Sequence, residues 1–174
     1  MTNFLIRDTT PDDLAQILAL YPRAFPEEDL RPVVSALLED ESAVLSLAGF
    51  DADVLVSHVI FTRCATQPQD RAGALLGPLG VMPSYQQQGY GNALVRAGLD
   101  RLADSGTRQV FVLGDPGYYQ RFGFAPESRV QTPFPIPADW AGAWQSMPLA
   151  MRTPLAAGPL LLAAPWMEAA LWGP

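Results

Sequence analysis

A strand, a glutamine- and glycine-rich turn and a helix follow one another between Leu75 and Leu102. The turn reads Gln86-Gln87-Gln88-Gly89-Tyr90-Gly91. The apolar run from Ala74 to Val81 predicts a buried strand before it. After it, apolar residues recur at i, i+4 and i+7, as on one helix face: Val95, Leu99 and Leu102. Glycine allows a positive φ and close backbone approach, and unpaired amides at a helix start favour an anion, so this unit predicts a phosphate-binding site.

Two common phosphate-binding patterns do not fit the turn. A P-loop requires Lys-Ser/Thr after its last glycine, whereas Asn92-Ala93 follows here, and all 11 basic residues of the chain are arginine. A dinucleotide fingerprint requires G-x-G-x-x-G, and the third glycine is missing after Gly89-Tyr90-Gly91. The residues of the turn therefore predict a phosphate ligand of another kind.

Apolar periodicity and turn residues predict the other elements. A helix capped by Thr10 is expected, because Pro11 and two aspartates follow, with Leu14, Ile17, Leu18 and Tyr21 as its apolar face. The remaining predicted segments are a strand at Phe4–Arg7, a helix at Glu28–Glu39, strands at Ala43–Ala48 and Val54–Thr62 joined across Gly49 and 51–53, a strand at Gln109–Leu113, a short helix capped by Asp115, and late strands at Gln145–Met151 and Leu155–Ala164. This order predicts the α/β class, a mixed sheet with helices on both faces.

Length, charge and cysteine content limit the kind of protein. A chain of 174 residues is expected to form one domain over 1–174, in which 125–174 contributes only the late strands. The net charge of −7 argues against nucleic acid or an anionic membrane as partner. Cys64 is the only cysteine and Met1–Phe4 lacks the features of a secretory signal, so a cytoplasmic location is expected. Because cysteine and histidine each occur once, no metal site is predicted.

The turn resembles the acyl-CoA-binding motif Q/R-x-x-G-x-G/A of the GCN5-related N-acetyltransferases (GNAT), with Gln86, Gly89 and Gly91 at its defining positions. The segment from Leu113 to Phe124 resembles the Gly-Asp-Pro-x-Tyr-Tyr-x-x-Phe-Gly-Phe segment of the YhbS-like predicted N-acetyltransferases, and 57–61 resembles their Gly-His-Ile-x-Phe strand. The resemblance covers most of the chain. It implies the GNAT fold, a mostly antiparallel twisted sheet of about six or seven strands in which one parallel pair splays apart for CoA.

The resemblance also implies acetyl-CoA as cosubstrate and direct transfer of its acetyl group to a primary amine of a small molecule or a peptide. In the family the pantetheine pairs with the motif strand and the pyrophosphate lies on the turn. Arginine often stands where Gln88 lies, so here the anion would depend on backbone amides, the helix end and Arg96. The residues implied in CoA binding are Leu79, Gly80, Val81, Gln86, Gln87, Gln88, Gly89, Tyr90, Gly91 and Asn92.

Two catalytic roles are implied by position in the family motifs. Tyr119 lies five residues before Phe124, which matches the tyrosine that protonates the CoA thiolate in many members. A phenol with a pKa near ~10 suits a thiolate with a pKa of ~8–9. The backbone amide of Val81 matches the donor that stabilises the developing oxyanion. Packing is the alternative role for Tyr119, as expected for Tyr118.

The general base has no match, because Ala74–Val81 lacks the glutamate that the family often carries on this strand. His58, Glu28 with its neighbour Glu27, and Asp115 stay open for this role, as does a route through solvent. Each also has a structural interpretation: a core histidine, an acid in the first turn of a helix and a helix cap.

A second interpretation is an acyl-CoA-binding module of the same fold that lost catalysis and serves as a sensor or partner domain. The missing strand glutamate favours this module, and Tyr119 favours the enzyme. A toxin-type acetyltransferase acting on charged tRNA would have a basic face, which the net charge opposes. Homodimers are common in the family. The acceptor would be set by Pro22–Glu28, the third strand and Pro133–Trp144.

Overall fold

The computed structural model describes residues 4–174. Its helices are α1 (Leu14–Ala24), α2 (Arg31–Leu38), α3 (Tyr90–Asp104) and α4 (Pro116–Tyr119). Its strands are β1 (Phe4–Asp8), β2 (Val44–Asp51), β3 (Val54–Cys64), β4 (Gly73–Val81), β5 (Gln109–Leu113), β6 (Ala125–Pro126), β7 (Val130–Gln131), β8 (Trp144–Pro148) and β9 (Gly158–Pro159).

Seven strands form one mixed sheet in the order β1-β2-β3-β4-β5-β8-β6. The pairs β1–β2, β5–β8 and β6–β8 are antiparallel, whereas β4 and β5 are parallel. The parallel register runs from Gly73↔Gln109 to Leu76↔Val112, although β4 continues to Val81. The predicted α/β class and a mostly antiparallel sheet that contains a parallel strand pair are therefore confirmed.

The chain divides into two compact units, each with its own core. The first contains residues 4–61 and Gly77–Asp100, and its fully buried residues include Tyr21, Val34 and Leu94. The second contains Thr62–Leu76 and Arg101–Pro174. Its centre is aromatic, because the ring of Trp144 stacks on that of Phe111 at 5.6 Å and meets that of Trp172 at 5.9 Å.

The start of α1 follows the predicted capping pattern. Thr10 and Asp13 form a capping box around a 3-10 turn at Pro11–Asp13, and α1 continues from Leu14. The buried face differs from the predicted one: Ile17, Leu20 and Tyr21 are buried, whereas Leu14 is 37% exposed. Leu18 is only half-buried.

The second helix begins three residues later than predicted. It starts at Arg31, where the Asp29 carboxylate accepts the Arg31 backbone N–H at 3.1 Å and pairs with its guanidinium at 2.8 Å. Pro32 presets the first turn. Glu28 therefore lies before the helix, and its predicted place in the first turn is wrong.

The predicted terminal strand at Leu155–Ala164 is wrong. Only Gly158–Pro159 pairs with β7, and Leu161 forms an isolated bridge with Ala65. Proline has no backbone N–H, so Pro159 and Pro165 interrupt a regular ladder in this segment. The late strand at Gln145–Met151 is found slightly earlier, as β8.

Gly49 lies inside β2, not at the predicted turn. A Cβ at this position would collide with Ser57 Oγ and the Phe4 ring, so the glycine serves close packing across the strands. The turn follows at Ala52, whose φ is 54°. Within residues 4–174, none of the helices is long and apolar enough to cross a membrane.

Candidate active site

The end of β4 directs alternate amides to the edge opposite β3. Met82 N–H donates to Val56 O at 2.8 Å, which is the β3 side of the strand. Because successive residues of a strand address opposite edges, the N–H groups of Val81 and Leu79 face the other edge. The Val81 carbonyl, on that same side, accepts a hydrogen bond from Gln86 Nε2 at 3.1 Å. Leu79 and Val81 thus offer a backbone edge of the kind that pairs with an extended ligand.

The turn after β4 combines two left-handed residues with a helix start. Gln87 has φ 60° and Gly89 has φ 88°, whereas Gly91 lies within α3. Ala93 N–H donates to Gly89 O at 3.0 Å as the first helical bond there, so the amides of Tyr90 and Gly91 precede the helical ladder. Left-handed residues interspersed in a turn gather N–H groups into an anion-binding concavity. The backbone therefore has the features of a phosphate site.

Two of the three glutamine side chains stabilise the turn from within. Gln88 Nε2 donates to Ser84 O at 2.9 Å, and Gln86 donates to Val81 as described. One hydrogen of each side-chain amide is thus donated to a neighbouring carbonyl. Arg96 lies exposed on α3, one turn beyond the helix start.

Aromatic side chains anchor the same turn to the end of β2. Tyr85 OH donates to Asp51 Oδ2 at 2.9 Å, and this hydrogen bond raises the pKa of Tyr85. The ring of Tyr90 lies 5.3 Å from that of Tyr85 and 4.6 Å from that of Phe4, both edge-on. Sequence reasoning missed Asp51 and Tyr85, because a hydrogen bond over 34 positions leaves no local pattern.

Tyr119 is half-buried at the end of α4. A Cβ on Gly114 would collide with its ring, and the rings of Tyr118 and Phe124 lie 4.9 and 5.7 Å away. Burial, and then the neighbouring Tyr118 and Asp115, raise the pKa of Tyr119 above its ordinary value of 10.0. The Tyr119 hydroxyl is therefore protonated at neutral pH, and it is a weaker acid than an unperturbed phenol.

His58 is fully buried in the first unit. Its Nδ1 lies 2.7 Å from Tyr21 OH and its Nε2 lies 2.8 Å from Ser46 Oγ. Burial lowers the pKa of His58 from 6.5 to about 3, with a small opposing effect of Asp13. The imidazole is therefore neutral, and any proton that it moves must pass through Tyr21 or Ser46.

The carboxylate candidates for the base are exposed. Glu28, like Glu27, lies in the connection between α1 and α2. Asp115 caps α4, since its Oδ1 accepts the Gly117 N–H at 2.9 Å, as predicted. Within residues 4–174, no three His, Cys, Asp or Glu side chains are grouped to hold a metal ion.

The parallel strand pair, the backbone edge of β4 and the turn that follows it define the class of protein. Residues 5–126 match the family described as an acetyltransferase (GNAT) domain. The chain therefore belongs to the GNAT family and is an acetyltransferase.

Particular relatives agree with this assignment. An uncharacterized N-acetyltransferase of Escherichia coli K12, YjhQ, is 34% identical over 170 residues, 94% of each chain. YhbS of the same strain is 36% identical over 121 residues, 69% of this chain and 72% of YhbS. These matches confirm the YhbS-like resemblance.

Two solved structures show the same fold with a ligand. The structure of YhbS from Escherichia coli in complex with CoA has a TM-score of 0.85 at 29% identity, covering 97% of this chain and 94% of that one. A GNAT family acetyltransferase from Brucella melitensis in complex with acetyl-CoA has a TM-score of 0.75 at 26% identity, covering 95% of this chain and 99% of that one.

Proposed function

We propose that this protein transfers the acetyl group of acetyl-CoA directly to a primary amine of a small molecule or a peptide. The observation that carries the proposal is the continuity of the β4 edge at Leu79–Val81 with the left-handed turn and the start of α3. The CoA and acetyl-CoA complexes of the two structural relatives support the choice of cosubstrate. Cytoplasmic location, a single domain and a homodimer stay predictions.

CoA would bind mainly through backbone groups. The pyrophosphate would accept hydrogen bonds from the backbone N–H groups of Gln87–Asn92 at the positive end of α3. The pantetheine would pair with Leu79–Val81 as an added strand. Gln86 and Gln88 would hold the turn in its binding shape through their bonds to Val81 and Ser84.

Acetyl transfer requires one bond to form and one to break. The neutral amine attacks the thioester carbonyl, and the C–N bond replaces the C–S bond. Val81 N–H would stabilise the oxyanion that develops. Tyr119 would give its proton to the departing CoA thiolate, so no covalent enzyme intermediate is needed.

The amine must also lose a proton. His58 is sealed in the core, whereas Glu28 and Asp115 are exposed to water. These positions support loss of the proton through solvent, with Glu28 and Asp115 as alternative bases. The net charge of −7 favours acceptors that carry positive charge before they react.

The test is acetyl-CoA turnover against a panel of primary amines: aliphatic amines, amino-acid amides and peptides with a free N-terminus. CoA release is followed with a thiol reagent, and the acetylated acceptor is identified by mass spectrometry. Cys64 adds little background, because it is 3% exposed and burial raises the pKa of its thiol. Tight CoA binding by calorimetry without turnover on any amine would instead support the inactive acyl-CoA-binding module.

A further inference from the structure

A buried hydrogen-bond chain crosses the first unit and ends on β4. It begins at Thr9, whose Oγ1 donates to Ser46 Oγ at 2.7 Å. It continues from Ser46 to His58 Nε2 at 2.8 Å, and from His58 Nδ1 to Tyr21 OH at 2.7 Å. It ends where Tyr21 OH donates to Pro78 O at 3.4 Å. His58 and Tyr21 have no exposed surface, so the inner half of the chain is closed to water.

The tautomer of His58 decides in which direction the hydrogen bonds run. Tyr21 has one hydroxyl proton, and when Pro78 O accepts it, at 3.4 Å, His58 Nδ1 carries the hydrogen that Tyr21 accepts. His58 Nε2 is then an acceptor, and it takes the proton of Ser46. In this arrangement each hydroxyl and the ring N–H donate one hydrogen bond, and every donor points along the hydrogen-bond chain from Thr9 toward Pro78. Only a neutral imidazole can pass on a hydrogen bond in this way.

Tyr21, the last side chain of the hydrogen-bond chain, contacts β4 at two points. Besides donating to Pro78, Tyr21 packs its ring against the strand: a Cβ added to Gly80 would lie 3.3 Å from Tyr21 Cε1. Gly80 thus leaves room for the ring on the strand backbone. Tyr21 therefore holds the segment that leads directly into Val81, and His58 orients the hydroxyl of Tyr21.

A cavity of about 400 Å³ lies at the Thr9 end of the hydrogen-bond chain. Thr9 and Ser46 line it, together with the helix residues Leu14 and Leu38. The outer hydroxyls, of Thr9 and Ser46, are thus half-buried beside this cavity, whereas Tyr21 and His58 are fully buried. The chain joins this surface to the backbone of β4 without a gap in hydrogen bonding.

We propose that His58 is a positioning residue for acetyl transfer: through Tyr21 it fixes the Pro78–Gly80 backbone so that Val81 N–H is aimed at the thioester oxygen. This inference rests on the proposed function. His58 does not touch the substrate, and its effect passes through Tyr21. The outer hydroxyls of Ser46 and Thr9 hold the imidazole in the tautomer that this requires.

The kinetic test compares hydroxyl deletions of equal size. Tyr21→Phe removes the link to Pro78 but keeps the ring on Gly80, and Ser46→Ala removes the partner of Nε2. Ser57→Ala is the matched control, because Ser57 is adjacent to His58 and fully buried but its Oγ has no hydrogen-bond partner within the described residues. We expect kcat to fall about tenfold in Tyr21→Phe, since small displacements of reacting groups are costly. KM for acetyl-CoA should stay within about twofold, because the Gln86–Gly91 turn is unchanged.

A second measurement needs no turnover. Since the chain has one histidine, a long-range ¹H–¹⁵N correlation spectrum reports only the imidazole of His58. The Nδ1–H tautomer is expected in the wild type, and the Nε2–H tautomer in Tyr21→Phe, where Nδ1 has lost its partner. Amide hydrogen exchange of the peptide that contains 77–82 should quicken in Tyr21→Phe and stay unchanged in Ser57→Ala.

The outcomes separate the two proposals. Wild-type protein that binds acetyl-CoA but acetylates no amine contradicts the proposed function. Wild-type turnover with kcat of Tyr21→Phe within about twofold contradicts the positioning role alone. An equal loss of kcat in Ser57→Ala, or the Nε2–H tautomer in the wild type, also overturns it.

Discussion

Tyr85 donates a hydrogen bond of 2.9 Å to Asp51 and thereby ties the Gln86–Gly91 turn to the end of β2. The 3-10 turn at Pro83–Tyr85 is thus held at its last residue, directly before Gln86. We expect Tyr85→Phe to weaken CoA binding about fivefold with little change in kcat, because an untethered turn must be ordered when the phosphates bind. Calorimetric titration with CoA measures the effect.

Asp51→Asn should weaken CoA binding in the same direction as Tyr85→Phe, since it removes the charged acceptor. Asp53→Asn is the matched control: it removes an equal charge from the same β2–β3 turn, where no bond to Tyr85 exists. Equal effects of the two substitutions would point to the long-range field of the carboxylates instead of the tether.

Gly89→Ala tests whether the left-handed backbone of the turn matters for the ligand. Gly89 has φ 88° and open space around its Cβ position, so alanine meets backbone strain without a collision. We expect a loss of about 1 kcal/mol in the free energy of unfolding and a clear weakening of CoA binding. Gly106→Ala is the control, because Gly106 has φ 93° and equal space at the other end of α3. It should lose similar stability and keep its affinity for CoA.

Tyr119→Phe should lower kcat about 100-fold and leave CoA affinity nearly unchanged, because only the proton for the thiolate is lost. Steady-state kinetics with the best amine of the panel measure this. Tyr118→Phe removes a hydroxyl from the same aromatic cluster and should retain most of the activity. A large loss in Tyr118→Phe with none in Tyr119→Phe would assign the acid to Tyr118.

Burial of neutral His58 predicts lower stability in acid. The pKa of His58 is 6.5 ordinarily and about 3 in the fold, so between these values the unfolded chain binds a proton that the folded chain does not. The free energy of unfolding therefore contains the full contribution of neutral His58 above pH 6.5. It falls as pH decreases toward 3, by about 1.4 kcal/mol per pH unit at most.

Urea unfolding at several pH values measures this slope in the wild type and in His58→Gln. The difference between the two isolates the histidine, because the Asp13 carboxylate is common to both. Asp13 has its pKa lowered from 3.8, first by the hydrogen bond from Arg7, so its own contribution is present above pH 3.8 and is lost as pH falls below that value. Equal slopes in wild type and His58→Gln would contradict a buried, neutral imidazole.

Local patterns predicted the parts of the fold whose causes are local. The apolar run of β4, the glycine at a left-handed position and the spacing of Val95, Leu99 and Leu102 lie within one stretch of chain, and all three were found as predicted. The start of α2 was missed, because the Asp29–Arg31 bond outweighs the preference of Glu28 for a first turn. The tail was misread because its apolar residues Leu155 and Leu160 are buried by packing, whereas strand pairing within it is limited to Gly158–Pro159 and the single bridge of Leu161.

Residue types at fixed short spacings predicted the family, the motif turn and the residues implied for CoA. The family is confirmed, and the CoA-binding residues stay predictions. The protonation state and the partners of His58 follow instead from tertiary packing. Its two ring nitrogens meet Tyr21 and Ser46, which lie 37 and 12 positions away, and its charge is removed by burial. Likewise, the hydrogen bond between Asp51 and Tyr85 forms because β2 ends beside the 3-10 turn that leads into Gln86. Such motifs are visible in the sequence because their residues are only a few positions apart, whereas hydrogen-bond partners and desolvation arise when distant segments pack together.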